Sequence, residues 1–597
     1  MKGLFLLVWL AFVSGIAQVY AQTEEQITAE EIMRVKKNGI FKRILNNIYD
    51  FSPSPKAKVD TLKTPTPEML FRDVEGLTIR KINVVQLKPF GASVKDNVTR
   101  TPKRSGKVGN ALHIDTREFI VRNMLLFREG DKADGFKLAH SERYIRSVRY
   151  INDVRIIAVP VSDSEADVTV MVQDAFPYSA SFSTNFLSNG NFSVTNRNIV
   201  GAGFDGQAGV YMDTRKDGLM GYSAMLRSSN IRRTFTTFQA EYLDRFENQR
   251  YGFGLQRDFY SPTTKYAGHL MFQDTRAQTL YYSFAIENRQ PTSVSIKYNL
   301  WDTWLGRSFE MKDKSSSDKQ RKNFTVSLRS QRLEFTDRPE YSENLFYRFQ
   351  SRTTYLASLS LSQQMFYKTS MMYNFGRTED IPYGGIITIT GGQEMNEKHT
   401  RTYFGVDYAT GYFIPDFGYM MTAFAFGTFF RNKAEQGMID VQMKYITNLT
   451  AIGNFRMRTY ISGRYTGQLF DQLEDRLMTD IPGIRNNTAL GRHRLSVSIE
   501  QCLFTPLNIY DFRFVVYAFA HVSWLDDYRQ PFSLNNIYSS FGLGLRIRNN
   551  RLIIKTIQIE FAYFHNGHHP YHLNFSNEDV MHPREFRPVA PDVLPRY

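Results

Sequence analysis

Two short runs near the C-terminus display a pattern that recurs through most of this 597-residue chain. From Phe541 to Ile547 the odd positions are Phe541, Leu543, Leu545 and Ile547, with Gly542, Gly544, Arg546 and then Arg548 at the even ones. After a polar turn at Asn549–Arg551 the alternation resumes. Ile557, Ile559, Phe561 and Tyr563 take one side, and Thr556, Gln558, Glu560 and Ala562 the other. Side chains alternate faces along a strand, so each run has one apolar and one polar face. About 16 such segments lie between Tyr178 and His565, at roughly 24 residues per strand and connection. That spacing suits tilted strands of about 9–11 residues that cross a bilayer and are joined by loops. The pattern predicts a transmembrane antiparallel β-barrel of about 16 strands over residues 176–566, apolar side outward. The longer polar connections Met311–Lys322, Thr336–Leu345 and Gln468–Asn487 are expected as external loops.

The period changes at the front of the chain. Thr78–Leu87 alternates as a strand, Arg117–Phe127 carries a helical stripe (Phe119, Ile120, Met124, Leu125), and Gly130–Asp131 breaks it. Phe136–Asn152 supplies a second helix through Leu138, Tyr144, Ile145, Val148 and Ile151, and Val154–Val161 and Val168–Gln173 read as closing strands. The order strand–helix–helix–strand–strand predicts a small α+β domain over residues 76–175, with helices layered on a sheet. Ser93–Leu112, polar and basic, is expected as a surface insertion. Before it, Ala29–Tyr49 has a helical stripe and Ser52–Pro67 carries four prolines, so residues 22–75 read as a helix on an extended tether. Met1–Ala21, with Lys2, an apolar stretch and small or short residues before Gln22, has the form of a secretory signal peptide. Residues 567–597 read as a C-terminal tail.

Composition narrows the function. Mean hydropathy is −0.38 and the net charge is +15. The exported start argues against nucleic acid, and much of the basic charge falls on the polar faces of the strands: Arg456, Arg458 and Arg464, Lys444, Lys297 and Arg329 are expected to face a lumen. The single cysteine, Cys502, excludes an intramolecular disulfide and a cysteine metal cluster. His565, His568, His569 and His572 have metal-compatible spacing, but no helix holds them, and they read as part of a polar tail. Gly201-x-Gly203 lacks the third glycine and the helix of a dinucleotide site, and no nucleophile-elbow, Walker-type or His-Glu-x-x-His motif occurs. No catalytic residue, cofactor or metal is expected.

Gly76–Arg80, Phe127–Asp131 and Ser141–Arg143, followed by Tyr150–Arg155, resemble a POTRA (polypeptide-transport-associated) domain. Placed before a barrel, this resembles the BamA/TamA-type superfamily of outer-membrane assembly and translocation proteins. Asn196–Gly203 resembles that family's early-strand Asn…Gly-x-Gly segment. Asp480–Arg485 resembles its inward-folded loop, with Ile481, Pro482, Gly483 and Ile484 at the core and proline where the family carries arginine. Arg485 is the candidate substitute and Glu500, on the polar face of the next strand, the candidate lumen partner.

The resemblance implies a bacterial outer-membrane location, membrane lipids around the barrel, and both termini and the POTRA domain in the periplasm. It also implies a polypeptide substrate received by the POTRA domain, with accessory periplasmic or lipoprotein partners. The implied activity is assembly or translocation without nucleotide or cofactor. The alternatives are a two-partner-secretion-type transporter, with the N-terminal helix plugging the pore, or a barrel enzyme with an accessory domain.

Overall fold

The computed structural model describes residues 67–94 and 104–594, apart from 186–188, 215–219, 247, 283–290, 312–320, 340–348, 471–476, 479, 482–489, 510, 527–535, 550, 553–555, 566–569 and 579–582. The expected signal peptide and the helix within residues 22–51 lie outside the described residues.

The first folded region is an α+β layer. A 3-10 helix, Pro67–Val74, leads into β1 (Thr78–Leu87), α1 (Arg104–Leu112), α2 (Glu118–Asn123), α3 (Gly135–Ser147), β2 (Ile151–Pro160) and β3 (Glu165–Asp174). The sheet order is β1-β3-β2, with β1 parallel to β3 and β2 antiparallel to it. Every second residue of β3 (Ala166, Val168, Val170, Val172) is fully buried against Val121, Met124, Leu125, Phe127, Leu138 and Ile145. Each such burial contributes about 1.5–3 kcal/mol for the larger side chains. Asp134 sets the start of α3, because its side chain accepts from the backbone N–H groups of Phe136 and Lys137.

Three details differ from the sequence reading. The core reaches back to Phe71 and Val74, before Gly76. The first stripe forms only the six-residue α2, and α1 lies within the stretch expected as an insertion.

From Tyr178 onward the strands form one closed antiparallel barrel. Among the described residues 21 strands pair around it. Thr450–Ile452 continues Ala434–Thr447 along the same neighbour, Phe455–Leu469, so the wall is crossed 20 times. The barrel stands, but the strand number of about 16 is corrected. Its connections are shorter than assumed, as the three-residue turn between Glu379–Asn396 and Thr400–Ile414 shows, and about 20 residues suffice per strand and connection.

Faces follow the alternation. Leu305, Leu328, Leu359, Leu543, Phe561 and Phe575 point outward and are each half or more exposed, whereas Thr325, Ser327, Ser358, Arg458 and Gln558 are buried inside. An apolar outside around a polar inside is the inverse of a soluble sheet sandwich and fits a barrel bathed in lipid. No described helix is long and apolar enough to cross a membrane.

Two boundaries at the C-terminus are also corrected. The barrel does not end at residue 566: Tyr571–Glu578 is its closing strand, paired with Thr556–His565 on one side and with Tyr178–Asn185 on the other. Tyr571, Leu573 and Phe575 alternate outward there, a pattern masked in the sequence by the neighbouring histidines. The remainder is not a free polar tail, since Pro583–Leu594 lies inside the lumen rather than beyond the barrel's rim.

Strand parity places each connection. Arg321, at the Met311–Lys322 connection, meets Asp134 of the N-terminal domain at 3.6 Å, so this connection lies on the domain's side and not externally.

Candidate functional site at the barrel mouth and lumen

The N-terminal domain is fixed to the barrel through a dense set of polar contacts. Arg146 of α3 binds Glu142, Asp153 (3.1 Å) and, across the junction, Asp380 (2.5 Å). Lys368 of the barrel reaches the same Glu142. Arg377 donates to the carbonyls of Ile151 and Asn152 (3.2 and 2.6 Å), and Thr378 to Asp153. Burial alone would push the Arg146 guanidinium down, but Asp380, Glu142 and Asp153 outweigh it and hold the group above its usual range. His140, nearly two turns earlier, packs against Phe136 at a tilt and meets Phe366 of the barrel edge-on. Burial, with the charges of Arg143 and Arg321, pushes its imidazole well below the usual histidine range.

The Asn196–Gly203 segment docks onto the same domain. Asn198 donates to Thr116 Oγ1 (2.8 Å) and accepts from the Gly203 N–H (2.8 Å), and the Gly201 carbonyl accepts from the Arg117 N–H (2.9 Å). Gly201 has φ +70°, and a Cβ there would lie 2.2 Å from the Asp115 carbonyl oxygen. The glycines thus serve a tight backbone junction. His113, Asp115 and Asp174 bring three potential metal-binding atoms within 4.8 Å of one another. Asp174, however, already accepts from His113 (2.9 Å), the Thr116 N–H and the Thr116 hydroxyl. This is a filled hydrogen-bonded bracket supporting the docking face.

Beyond the mouth lies a cavity of about 1670 Å³, lined by Asp407, Asp440, Arg464 and Arg494 of the wall and by Arg584, Glu585 and Arg587 of the tail. Charges are paired along the wall: Arg464 with Asp440 (2.5 Å) and Arg329 with Asp302 (2.7 Å).

Of the sequence-predicted loop, Ile481 is buried in an apolar cluster with Cys502, Phe504 and Tyr517, which project from the inner wall. The Ser496 hydroxyl donates to Asp480 at 2.6 Å. Pro482, Gly483, Ile484 and Arg485 lie outside the described residues. Glu500 does face the lumen, but its described partners are the Cys502 thiol (3.1 Å) and Arg546, which donates to both carboxylate oxygens (2.5 and 2.7 Å) and stacks over Tyr517. Arg546 shares the polar face of its strand with Arg548, so the signal for this pair was present in the alternation.

Sequence reasoning missed the tail. Arg584 pairs with Asp407 (2.7 Å), the Phe586 N–H donates to Gln364, and the Phe586 ring is fully buried among Ile381, Ile386, Tyr419 and Met421. Ala590 packs on Phe259 and Trp304, Asp592 accepts from Arg329 (2.9 Å), and the Leu594 N–H donates to the Tyr403 hydroxyl (2.9 Å).

No family model matches the chain, and no curated protein matches it. Among solved structures it is similar to BamA from Haemophilus ducreyi lacking POTRA domains 1–3, at 10% identity over 93% of each chain and a TM-score of 0.34. It is similar to CdiB from Acinetobacter baumannii at 11% identity, covering 94% of this chain and 97% of that one, with a TM-score of 0.30. The siderophore receptor PirA from Pseudomonas aeruginosa matches at 7% identity, covering 87% and 92%, with a TM-score of 0.32. The barrel itself stands on its own strand pairing.

Proposed function

We propose that this chain is an outer-membrane protein that assembles or translocates polypeptides, working without nucleotide, metal or cofactor. Its α+β domain acts as a POTRA domain on the periplasmic side. The observation that carries this reading is the clamp around Arg146, which fixes a peptide-sized α+β sheet at one mouth of the barrel. A polypeptide added to that sheet's edge would be delivered directly to the barrel.

The closing strands support the same reading. Tyr178–Asn185 and Tyr571–Glu578 have eight residues each, against 21 in Pro291–Met311. Ladder hydrogen bonds scale with strand length, so this seam is among the less costly parts of the wall to open. Asp480 and Ile481, where the expected inward-folded loop begins, are supported from the wall strand that carries Glu500.

The test is reconstitution of the full chain in lipid vesicles, with a urea-unfolded outer-membrane barrel supplied from outside. Folding of that barrel, read by heat-modifiable migration, should be faster than in empty vesicles. Arg146→Met, which unclamps the domain, should remove the acceleration. Equal rates with and without the protein would reject the proposal.

A further inference from the structure

Residues Pro583–Leu594 are held inside the barrel as a ligand is held. None of them joins the strand ladder. Their three described backbone attachments to the wall end on side chains: Gln364 for the Phe586 N–H, the Tyr403 hydroxyl for the Leu594 N–H and the Arg329 guanidinium for the Pro591 carbonyl. Two of their ion pairs are partly open to water: Arg584 and Asp407 keep 35% and 41% of their side-chain surfaces, and Arg587 and Asp258, 3.5 Å apart, keep 30% and 42%; Asp592 instead meets Arg329, which keeps 11%. Phe586 is fully enclosed, in a pocket made by Ile381, Ile386, Ala409, Tyr419 and Met421, and Pro588 and Pro591 are buried as well.

The wall is shaped around this segment. A Cβ on Gly411 would come within 2.6 Å of the Phe586 ring, and one on Gly427 within 2.5 Å of the Leu594 carbonyl oxygen. Neighbouring positions are small where the ring enters, with Ala409 and Ala423 in the same cluster. Tail and wall together border the 1670 Å³ cavity that opens toward the N-terminal domain, where Glu585 stands 3.9 Å from Arg143. A chain entering the lumen from the domain therefore meets the track at its anchored end.

We infer that the inner wall formed by Glu379–Asn396, Thr400–Ile414 and Gly418–Phe430 is a binding track for an extended polypeptide bearing an aromatic residue flanked by basic ones. The chain's own Pro583–Leu594 is the resident occupant, displaced when a segment of the same chemistry enters. The Arg-Glu-Phe-Arg order at 584–587 gives the recognition elements: an aromatic ring for the apolar pocket, and guanidinium groups for Asp407 and Asp258. Tethering makes the occupant a competitor in cis, which lowers the apparent affinity for any outside peptide by the fraction of time the track stands empty. The inference rests on these contacts and not on the assembly or translocation reading.

Two measurements on the full chain in detergent micelles test it. First, Arg329→Cys with Asp592→Cys, in a Cys502→Ser background, should be joined by a short bismaleimide crosslinker, since the native pair meets through the ends of two side chains; no crosslink would mean that the tail does not reside on the track. Second, a fluorescent synthetic peptide spanning residues 583–594 should bind the Phe586→Asp variant about tenfold or more tightly than the unaltered chain, where the tail competes. The same peptide with aspartate at its own phenylalanine should not bind, and adding Gly411→Val should abolish binding. If Phe586→Asp does not fold, judged by heat-modifiable migration, a chain ending at Glu578 takes its place. Failure of both to fold would make the tail a permanent part of the wall and overturn the exchange. Absence of peptide binding to a folded, tail-free barrel would overturn it as well.

Discussion

Adjacent residues of the closing strand have opposite surroundings. Phe575 is 69% exposed on the outer face, opposite Ile559, whereas Asn574 points inward, its amide 3.3 Å from Glu560. Phe575→Arg places a guanidinium against lipid, at a cost of about 2–4 kcal/mol if near the midplane. Asn574→Arg places the same group in the lumen beside a carboxylate. Folding yield into vesicles and the heat-modification midpoint should fall sharply for the first and little for the second; equal behaviour would reverse or erase the face assignment. The alternation that makes this pair predictable was readable from sequence. The tail's residue-scale information was not, because Arg584, Phe586, Asp592 and Leu594 follow no strand or helix period. Their hydrogen-bond partners lie 177 or more residues away, and only the folded wall brings them together.

At the scale of elements, two glycines separate strain from docking. Gly130 and Gly201 both have φ in the left-handed region, +87° and +70°, where a side chain costs about 1–2 kcal/mol. A Cβ on Gly130 meets nothing within 4 Å, whereas one on Gly201 strikes the Asp115 carbonyl. Gly130→Ala should therefore cost the domain only the backbone term. Gly201→Ala should also loosen the domain from the barrel, raising hydrogen exchange in residues 115–117 at the junction. Similar exchange in both variants would remove the docking role of the Asn196–Gly203 segment. That segment was legible as a motif, but its purpose was not, since its partners Thr116 and Arg117 belong to another element.

The helix α3 carries a pH dependence of its own. His140 is buried between Phe136 and Phe366, with Arg143 and Arg321 as the nearby charges, and its proton affinity in the folded state is depressed. Below a pH of about 6.5 the unfolded chain takes up a proton that the folded domain excludes. Stability is therefore complete above that pH and falls as pH drops through it toward the folded-state value, by about 1.4 kcal/mol per pH unit for one proton. Amide exchange across 135–147, corrected for intrinsic rates, should show more opening at about pH 5 than at about pH 7.5. His140→Gln should flatten the difference. An unaltered slope in that variant would reject His140 as its source.

For the whole molecule, the number of crossings fixes which side each connection occupies. Twenty crossings return the chain to the side from which it started, so the closing strand ends at the N-terminal domain's side and the tail enters the lumen from there. The sequence reading arrived at an even number with four strands too few, and it placed the Met311–Lys322 connection outside. Its length and polarity resembled an external loop, and only parity and the Arg321–Asp134 contact reveal its side. In a Cys502→Ser background, Lys398→Cys lies in the turn between Glu379–Asn396 and Thr400–Ile414, on the side away from the domain. Asp416→Cys lies in the next turn, on the domain's side. With the domain in the periplasm, a membrane-impermeant maleimide applied to intact cells should label position 398 and leave 416 unlabelled until the outer membrane is permeabilised. Lys322→Cys, exposed at the end of the Met311–Lys322 connection, should behave as position 416 does. Labelling of 416 alone would turn the molecule around in the membrane. Labelling of 322 together with 398, with 416 protected, would break the parity and with it the count of 20 crossings.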